Sequence, residues 1–133
     1  MTAAVVDASV VMAWLFAESE NPRVTAAFIA QNGEANVPVL LYYELCNVLL
    51  VAERRGRVTQ SQSAAFLDQL AKLAIRMAPP AEEEAMALAR AHNLTFYDAS
   101  YLELAMREGL PLATLDRALE KAASAEGVAL LGQ

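Results

Sequence analysis

Ala3-Ala-Val-Val-Asp-Ala-Ser9 joins a short apolar run to an aspartate and then to residues that open a helix. The run predicts a brief buried strand, and Asp7-Ala-Ser9 starts a helix that continues to about Phe16. The same grammar returns near the other end of the chain, where Leu112-Ala-Thr-Leu115 leads into Asp116 and a final helix. The chain has only four aspartates, and Asp98 stands at the head of a third helix. In an open parallel α/β sheet the carboxyl ends of the strands form the crevice where ligands bind. The acids of this chain are therefore predicted to meet in one place.

Between these points strands and helices alternate. A helix begins at Asn21-Pro22 and stops near Asn32-Gly33. Ala35-Asn-Val37 reads as a second strand, with Pro38 at the first position of a long helix that runs to Gly56. Thr59-Gln-Ser-Gln62 has the form of a capping box, opening a helix with Phe66, Leu67, Leu70 and Leu73 on one face. Ala74 to Met77 forms a third strand. Glu82-Glu83-Glu84 suits the first turn of the next helix as a solvated start, and Asn93 suits the left-handed residue that ends it. A helix from Tyr97 to Glu108, stopped by Gly109, a fourth strand at 111–114, a helix at 116–124 and a fifth strand at 127–131 complete the pattern. Such alternation specifies an α/β fold: a three-layer α/β/α sandwich around a central five-stranded, mainly parallel sheet. No linker or repeat interrupts it, so residues 1–133 are expected to form a single domain.

Composition narrows the class. Hydrophobic residues make up 56% of the 133, which argues for a packed, helix-rich globule and against disorder. The single cysteine, Cys46, permits no internal disulfide, is expected to be a small buried hydrophobe, and fits a reducing cytoplasm. The apolar N-terminal segment lacks a basic start and is broken by Asp7 and Ser9, so neither a secretory leader nor a membrane span is expected. A net charge of −6 opposes a broad basic face for nucleic acid. Bound cations in the crevice would invert the local sign, with Arg54, Arg55 and Arg57 assisting.

Glu44 discriminates among readings. It lies within Val39-Leu-Leu-Tyr-Tyr-Glu-Leu-Cys-Asn-Val-Leu-Leu50, with no exposed polar stripe to belong to and no Lys or Arg within four residues. An unpaired buried carboxylate costs several kcal/mol or more, so a cation or a distant Arg must answer it. Asn47, three residues on, shares its face. Taken singly, Asp7 and Asp116 could simply cap helices, and Asp98 could complete a capping box. Taken together, the four acids would repel by about 3 kcal/mol per close pair at ~5 Å in an effective dielectric near 20, a cost that a hard divalent cation removes. With one His and one Cys in the chain no zinc set can be assembled, which favours Mg2+ or Mn2+. His92 reads as a surface residue near a helix end.

With these residues in place, the chain resembles the PIN-domain nucleases, and within them the VapC-type toxins of prokaryotic toxin–antitoxin pairs. The resemblance rests on Val5-Val-Asp-Ala-Ser9, Pro38-Val-Leu-Leu-Tyr-Tyr-Glu-Leu-Cys-Asn47, Leu94-Thr-Phe-Tyr-Asp-Ala-Ser-Tyr-Leu-Glu-Leu-Ala105 and Leu110-Pro-Leu-Ala-Thr-Leu-Asp116, in that order. It implies a PIN-like fold and an endoribonuclease using one or two Mg2+ or Mn2+ ions, leaving 5′-phosphate and 3′-hydroxyl ends. Asp7, Glu44, Asp98 and Asp116 match the family's four acidic positions, and so would be both catalytic and metal-binding. Ser9 and Thr114 match its hydroxyl positions, and Asn47 the companion of its glutamate. The resemblance also implies an RNA substrate, a homodimer and a cognate VapB-type antitoxin, for which exposed Leu and Phe on the helices at 39–73 are the expected contact. Two alternatives are a receiver-like signalling domain, which would want an adjacent acid pair after the first strand, and a non-catalytic PIN-like scaffold.

Overall fold

Four short strands and six helices succeed one another through the residues described in this computed structural model, which are 3–16, 35–72 and 75–131. In chain order they are β1 (Ala4–Val6), α1 (Ala8–Phe16), β2 (Ala35–Pro38), α2 (Leu40–Arg54), α3 (Gln60–Ala71), β3 (Ile75–Ala78), α4 (Glu82–His92), α5 (Phe96–Glu108), β4 (Leu112–Ala113) and α6 (Arg117–Ala125). The helix expected from Asn21-Pro22 lies outside the described residues. No described helix is long and apolar enough to cross a membrane.

The sheet order is β3-β2-β1-β4 and every pairing is parallel. From β1 the chain first builds outward through β2 and β3, then returns to add β4 on the other side. Direction therefore reverses between β1 and β4, and that reversal point opens a crevice at the strands' carboxyl ends. β1, flanked on both sides, is buried at all three residues, as a central parallel strand must be. Its register sets Val5 against Leu112 and Val6 against Ala113, so the next residues out, Asp7 and Thr114, emerge side by side.

The expected fifth strand is a correction. The segment at 127–131 makes a single parallel bridge, Leu112 to Leu130, with the Leu112 amide donating to Ala129 O at 2.9 Å and the Leu131 amide to Leu112 O at 2.9 Å. With β4 only two residues long, there is too little edge for a longer ladder. Pro38 also differs from its expected place. It closes β2 opposite Ala78, and α2 begins two residues later at Leu40.

The local signals behave as their chemistry dictates. Both bonds of the capping box form at α3, the Thr59 amide to Gln62 Oε1 at 2.8 Å and the Gln62 amide to Thr59 Oγ1 at 3.1 Å. Asn93 ends α4 at φ 53°, a left-handed conformation that asparagine tolerates. Helix α5 packs on β1, β2 and β4 and closely against α4, and it is buried continuously from Ala99 to Ala105. A helix buried all round is an interior element. Phe66 of α3 enters the core too, so it cannot serve as the exposed aromatic anticipated for partner contact. The residues exposed on that stretch are instead Val39, Tyr43 and Leu50, with Tyr43 at 74%. Cys46 is exposed as well, against the expectation that it would be buried.

Leu102 is fully buried at the centre of α5. Leu102→Ala should cost about 2–5 kcal/mol of folding free energy, read from the urea midpoint, because a cavity replaces side-chain contacts.

Candidate active site

Asp7 leaves the carboxyl end of β1 almost wholly buried, at 3% exposure, and is held by three donors. The Ser9 hydroxyl donates to Oδ1 at 2.6 Å, the Val10 amide donates to the same oxygen at 3.2 Å, and the Thr114 hydroxyl donates to Oδ2. The two hydroxyls are oriented in turn from the loop beyond β4. The Leu115 amide donates to Ser9 Oγ at 2.9 Å, and the Asp116 amide donates to Thr114 Oγ1 at 3.0 Å. Asp7 thus caps α1 and also organises the loop that carries Asp116. Asp116 likewise caps α6, accepting from the Leu119 amide at 2.9 Å. For both residues, the helix-capping role and the site role coexist in one side chain.

Asp98 stands in the first turn of α5. Thr95 is the cap there, its hydroxyl accepting from the Asp98 amide at 3.1 Å. Among the described residues the reciprocal capping bond seen at α3 is absent, so Asp98 is not consumed in a box. Glu44 projects from the second turn of α2, half-buried, and its Oε1 accepts a hydrogen bond from the Tyr101 hydroxyl at 2.9 Å. Asn47 is exposed and makes no side-chain hydrogen bond among the described residues.

The acids feel one another. Burial pushes the Asp7 carboxyl up to about 6, offset in part by Ser9, Thr114 and Val10, with the charge of Asp98 adding to the rise. Burial also raises Glu44, which the Tyr101 hydroxyl partly relieves and which Asp98 and Asp7 push further. Asp98 is raised first by burial and then by Asp116, with Thr95 opposing. Burial and the neighbouring Glu44 keep the Tyr101 phenol protonated far above its ordinary range, so it can only donate to a carboxylate. Among the described residues no basic side chain figures among the charges acting on Asp7, Glu44 or Asp98.

A different acid shows what an internal answer looks like. Glu103, buried on α5, receives Arg107 Nε at 3.0 Å and Nη2 at 2.9 Å, and Nη2 also donates to Pro79 O at 2.9 Å. That fork neutralises a structural carboxylate within the chain. Asp7, Glu44 and Asp116 receive hydroxyls and amides instead. Their donor set is all oxygen. Cys46 is exposed, and His92 is engaged elsewhere with Glu126 at 2.6 Å. Such a set suits a hard cation and not zinc. Among the described residues no three acid, His or Cys side chains converge closely enough to enclose an ion. Mutual repulsion holds uncompensated carboxylates apart, and a cation between them reverses that force. Of Arg54, Arg55 and Arg57, expected to assist the crevice, the first two sit ten and eleven residues beyond Glu44, about 15 Å along the axis of α2, and Arg57 follows the helix end. The described cation adjacent in sequence to the acids is Arg117, exposed at the start of α6.

Sequence reasoning missed Tyr101. Its signal was present, because it lies three residues after Asp98 on one helix and so shares its face.

The PIN domain family matches residues 4–125 of this chain. The chain belongs to the PIN-domain family. Ribonuclease VapC3 of Pyrobaculum aerophilum is 35% identical over 119 residues, covering 86% of this chain and 90% of that protein. Exonuclease VapC9 of the same organism is 36% identical over 80 residues, 60% of each. The crystal structure of PAE2754 from Pyrobaculum aerophilum matches with a TM-score of 0.70 at 29% identity, covering 91% of this chain and 79% of that one. Within the PIN domains this chain is of the VapC type, and its described residues form a four-stranded parallel sheet.

The raised Asp7 carboxyl has a stability consequence. The folded state keeps this proton up to about pH 6, whereas the ordinary value is 3.8. Its contribution is therefore complete below the ordinary value and is lost as pH rises through 6. In metal-free protein the loss should amount to roughly 2 kcal/mol between pH 4 and 7. Urea midpoints of wild type against Asp7→Asn isolate it, and identical pH slopes in the two would contradict the burial.

Proposed function

We propose that this PIN domain is the ribonuclease toxin of a type II toxin–antitoxin pair, an endonuclease that hydrolyses RNA phosphodiesters at the acidic crevice with Mg2+ or Mn2+. The carrying observation is that the Asp7, Glu44 and Asp98 carboxyls are raised by burial and by neighbouring acids, with no basic partner among the described residues, beside a buried Glu103 that has one. Relatives called Ribonuclease VapC3 and Exonuclease VapC9 support a nuclease.

Asp7, Asp98 and Asp116 would hold the cation, and Glu44 would bind a second ion or orient water. When bound, the divalent ion would supply charge neutralisation at phosphorus and a more acidic water. Ser9 and Thr114 fix both oxygens of Asp7, so that carboxylate does not reorganise during the reaction. Glu44 is held at Oε1 and keeps Oε2 open. Asn47, exposed one turn beyond Glu44, would contact RNA or water. Arg117 would take a backbone phosphate at the rim, compensating locally for the acidity of the chain. A VapB-type antitoxin and a second copy of the chain are the proposed protein partners, in the cytoplasm. The exposed Val39, Tyr43 and Leu50 on α2 offer an apolar contact for the antitoxin.

Asp98→Asn should lower RNA cleavage by about a hundredfold or more, because a preorganised charge is lost. Its urea midpoint should be unchanged or higher, since repulsion and burial of a charge are both relieved. Wild-type activity should vanish in chelator and return with Mn2+. Full activity of Asp98→Asn would remove that residue from the site. A covalently closed RNA circle separates endonuclease from exonuclease, because only the former linearises it.

A further inference from the structure

Glu44 and Asp7 are positioned by different means. Asp7 is fixed by three donors, two of them from its own segment and the third from the neighbouring strand end. Glu44 has a longer side chain, is only half-buried, and is repelled by Asp7 and Asp98. Left alone, such a side chain would swing away from its neighbours toward water. The group that opposes this comes from 57 residues away. The Tyr101 hydroxyl reaches from α5 to Glu44 Oε1 at 2.9 Å.

Tyr101 is suited to the task. It is 1% exposed and lies in the hydrophobic core, so packing restricts both ring torsions while the hydroxyl bonds Glu44. Tyr101 has a single hydroxyl proton, and that proton is given to one carboxylate oxygen. We propose that Tyr101 is a positioning residue for the metal centre, holding Glu44 in the crevice through Oε1 so that only Oε2 faces the cation or its water. This rests on the nuclease reading above. A tyrosine that merely satisfied its own buried hydroxyl would influence stability alone. A tyrosine acting through Glu44 also influences ion affinity and turnover.

Tyr101→Phe keeps the ring and removes the donor. Mn2+ affinity, titrated without RNA, should fall about threefold to tenfold, and kcat should fall about tenfold with KM for RNA unchanged, the scale of one hydrogen bond to a charged group. In a Glu44→Gln background the same change should shift Mn2+ affinity by less than about twofold, because residues acting through one contact are non-additive. Tyr101→4-aminophenylalanine restores a donor and should recover kcat, and it stands in should the phenylalanine variant fail to fold. Unchanged Mn2+ affinity in folded Tyr101→Phe, or an equal loss in both backgrounds, overturns the proposal. Absence of RNA cleavage by the wild type overturns the nuclease reading instead, while the Mn2+ titrations still decide the role of Tyr101.

Discussion

Everything at this site depends on one buried carboxylate, that of Asp7. Placing it at the end of a central strand costs desolvation, and two hydroxyls and an amide return only part of that cost, because the carboxyl remains raised to about 6. Those same hydroxyls accept from the amides of Leu115 and Asp116. The loop beyond β4 therefore takes its shape from Asp7, and Asp116 takes its position from the loop. Parallel register starts this chain of causes, since pairing Val6 with Ala113 leaves Asp7 and Thr114 as neighbours. Neither strand could slip by a residue without separating the acid from the hydroxyl that holds it.

Glu103 and Glu44 make an instructive contrast. They sit on packed helices, Glu103 buried and Glu44 half-buried, and they are treated differently. Glu103 is gripped by both nitrogen types of an arginine one turn away, a local solution written into α5. Glu44 receives a neutral donor from another helix, which orients a charge without cancelling it. A fold that answers the buried Glu103 with arginine and, among its described residues, gives Asp7, Glu44, Asp98 and Asp116 no basic partner has kept negative potential at a chosen place. That residual field is what attracts a hard cation, and the energy of repulsion among the acids becomes affinity for it.

The parts of this arrangement that were legible in the sequence are those governed by near neighbours. Asp7, Ser9, Thr114 and Asp116 announce themselves because strand, acid and helix cap follow one another within a few residues. The capping box at Thr59 and the left-handed Asn93 are local for the same reason. Glu44 was legible through incongruity, an acid in an apolar helix. What escaped depends on rotation and distance. A helix almost wholly apolar over 39–50 does not tell which stripe faces the core, so Cys46 reads as buried and is exposed; Phe66, on the following helix, reads as partner surface and is core. The partner of Glu44 lies on another helix, and no spacing rule joins residues 44 and 101. The last apolar run looked like a strand, but strand formation needs a partner edge, and β4 offers two residues.

Acidity overall and RNA as substrate are reconciled by locality. Among the described basic residues, Arg54 and Arg55 lie far down α2 and Arg107 is spent on Glu103, whereas Arg117 begins the helix that Asp116 caps. The cationic contribution of the described residues at the crevice is thus small without ions, and the carboxylates repel a phosphate. On the proposed reading, each divalent ion removes two of those charges and offers the phosphate a partner, so ion and RNA each strengthen the binding of the other by the same factor. A protein built this way needs no broad basic face. It grips the backbone only where the ions sit, which is where the bond is to be broken.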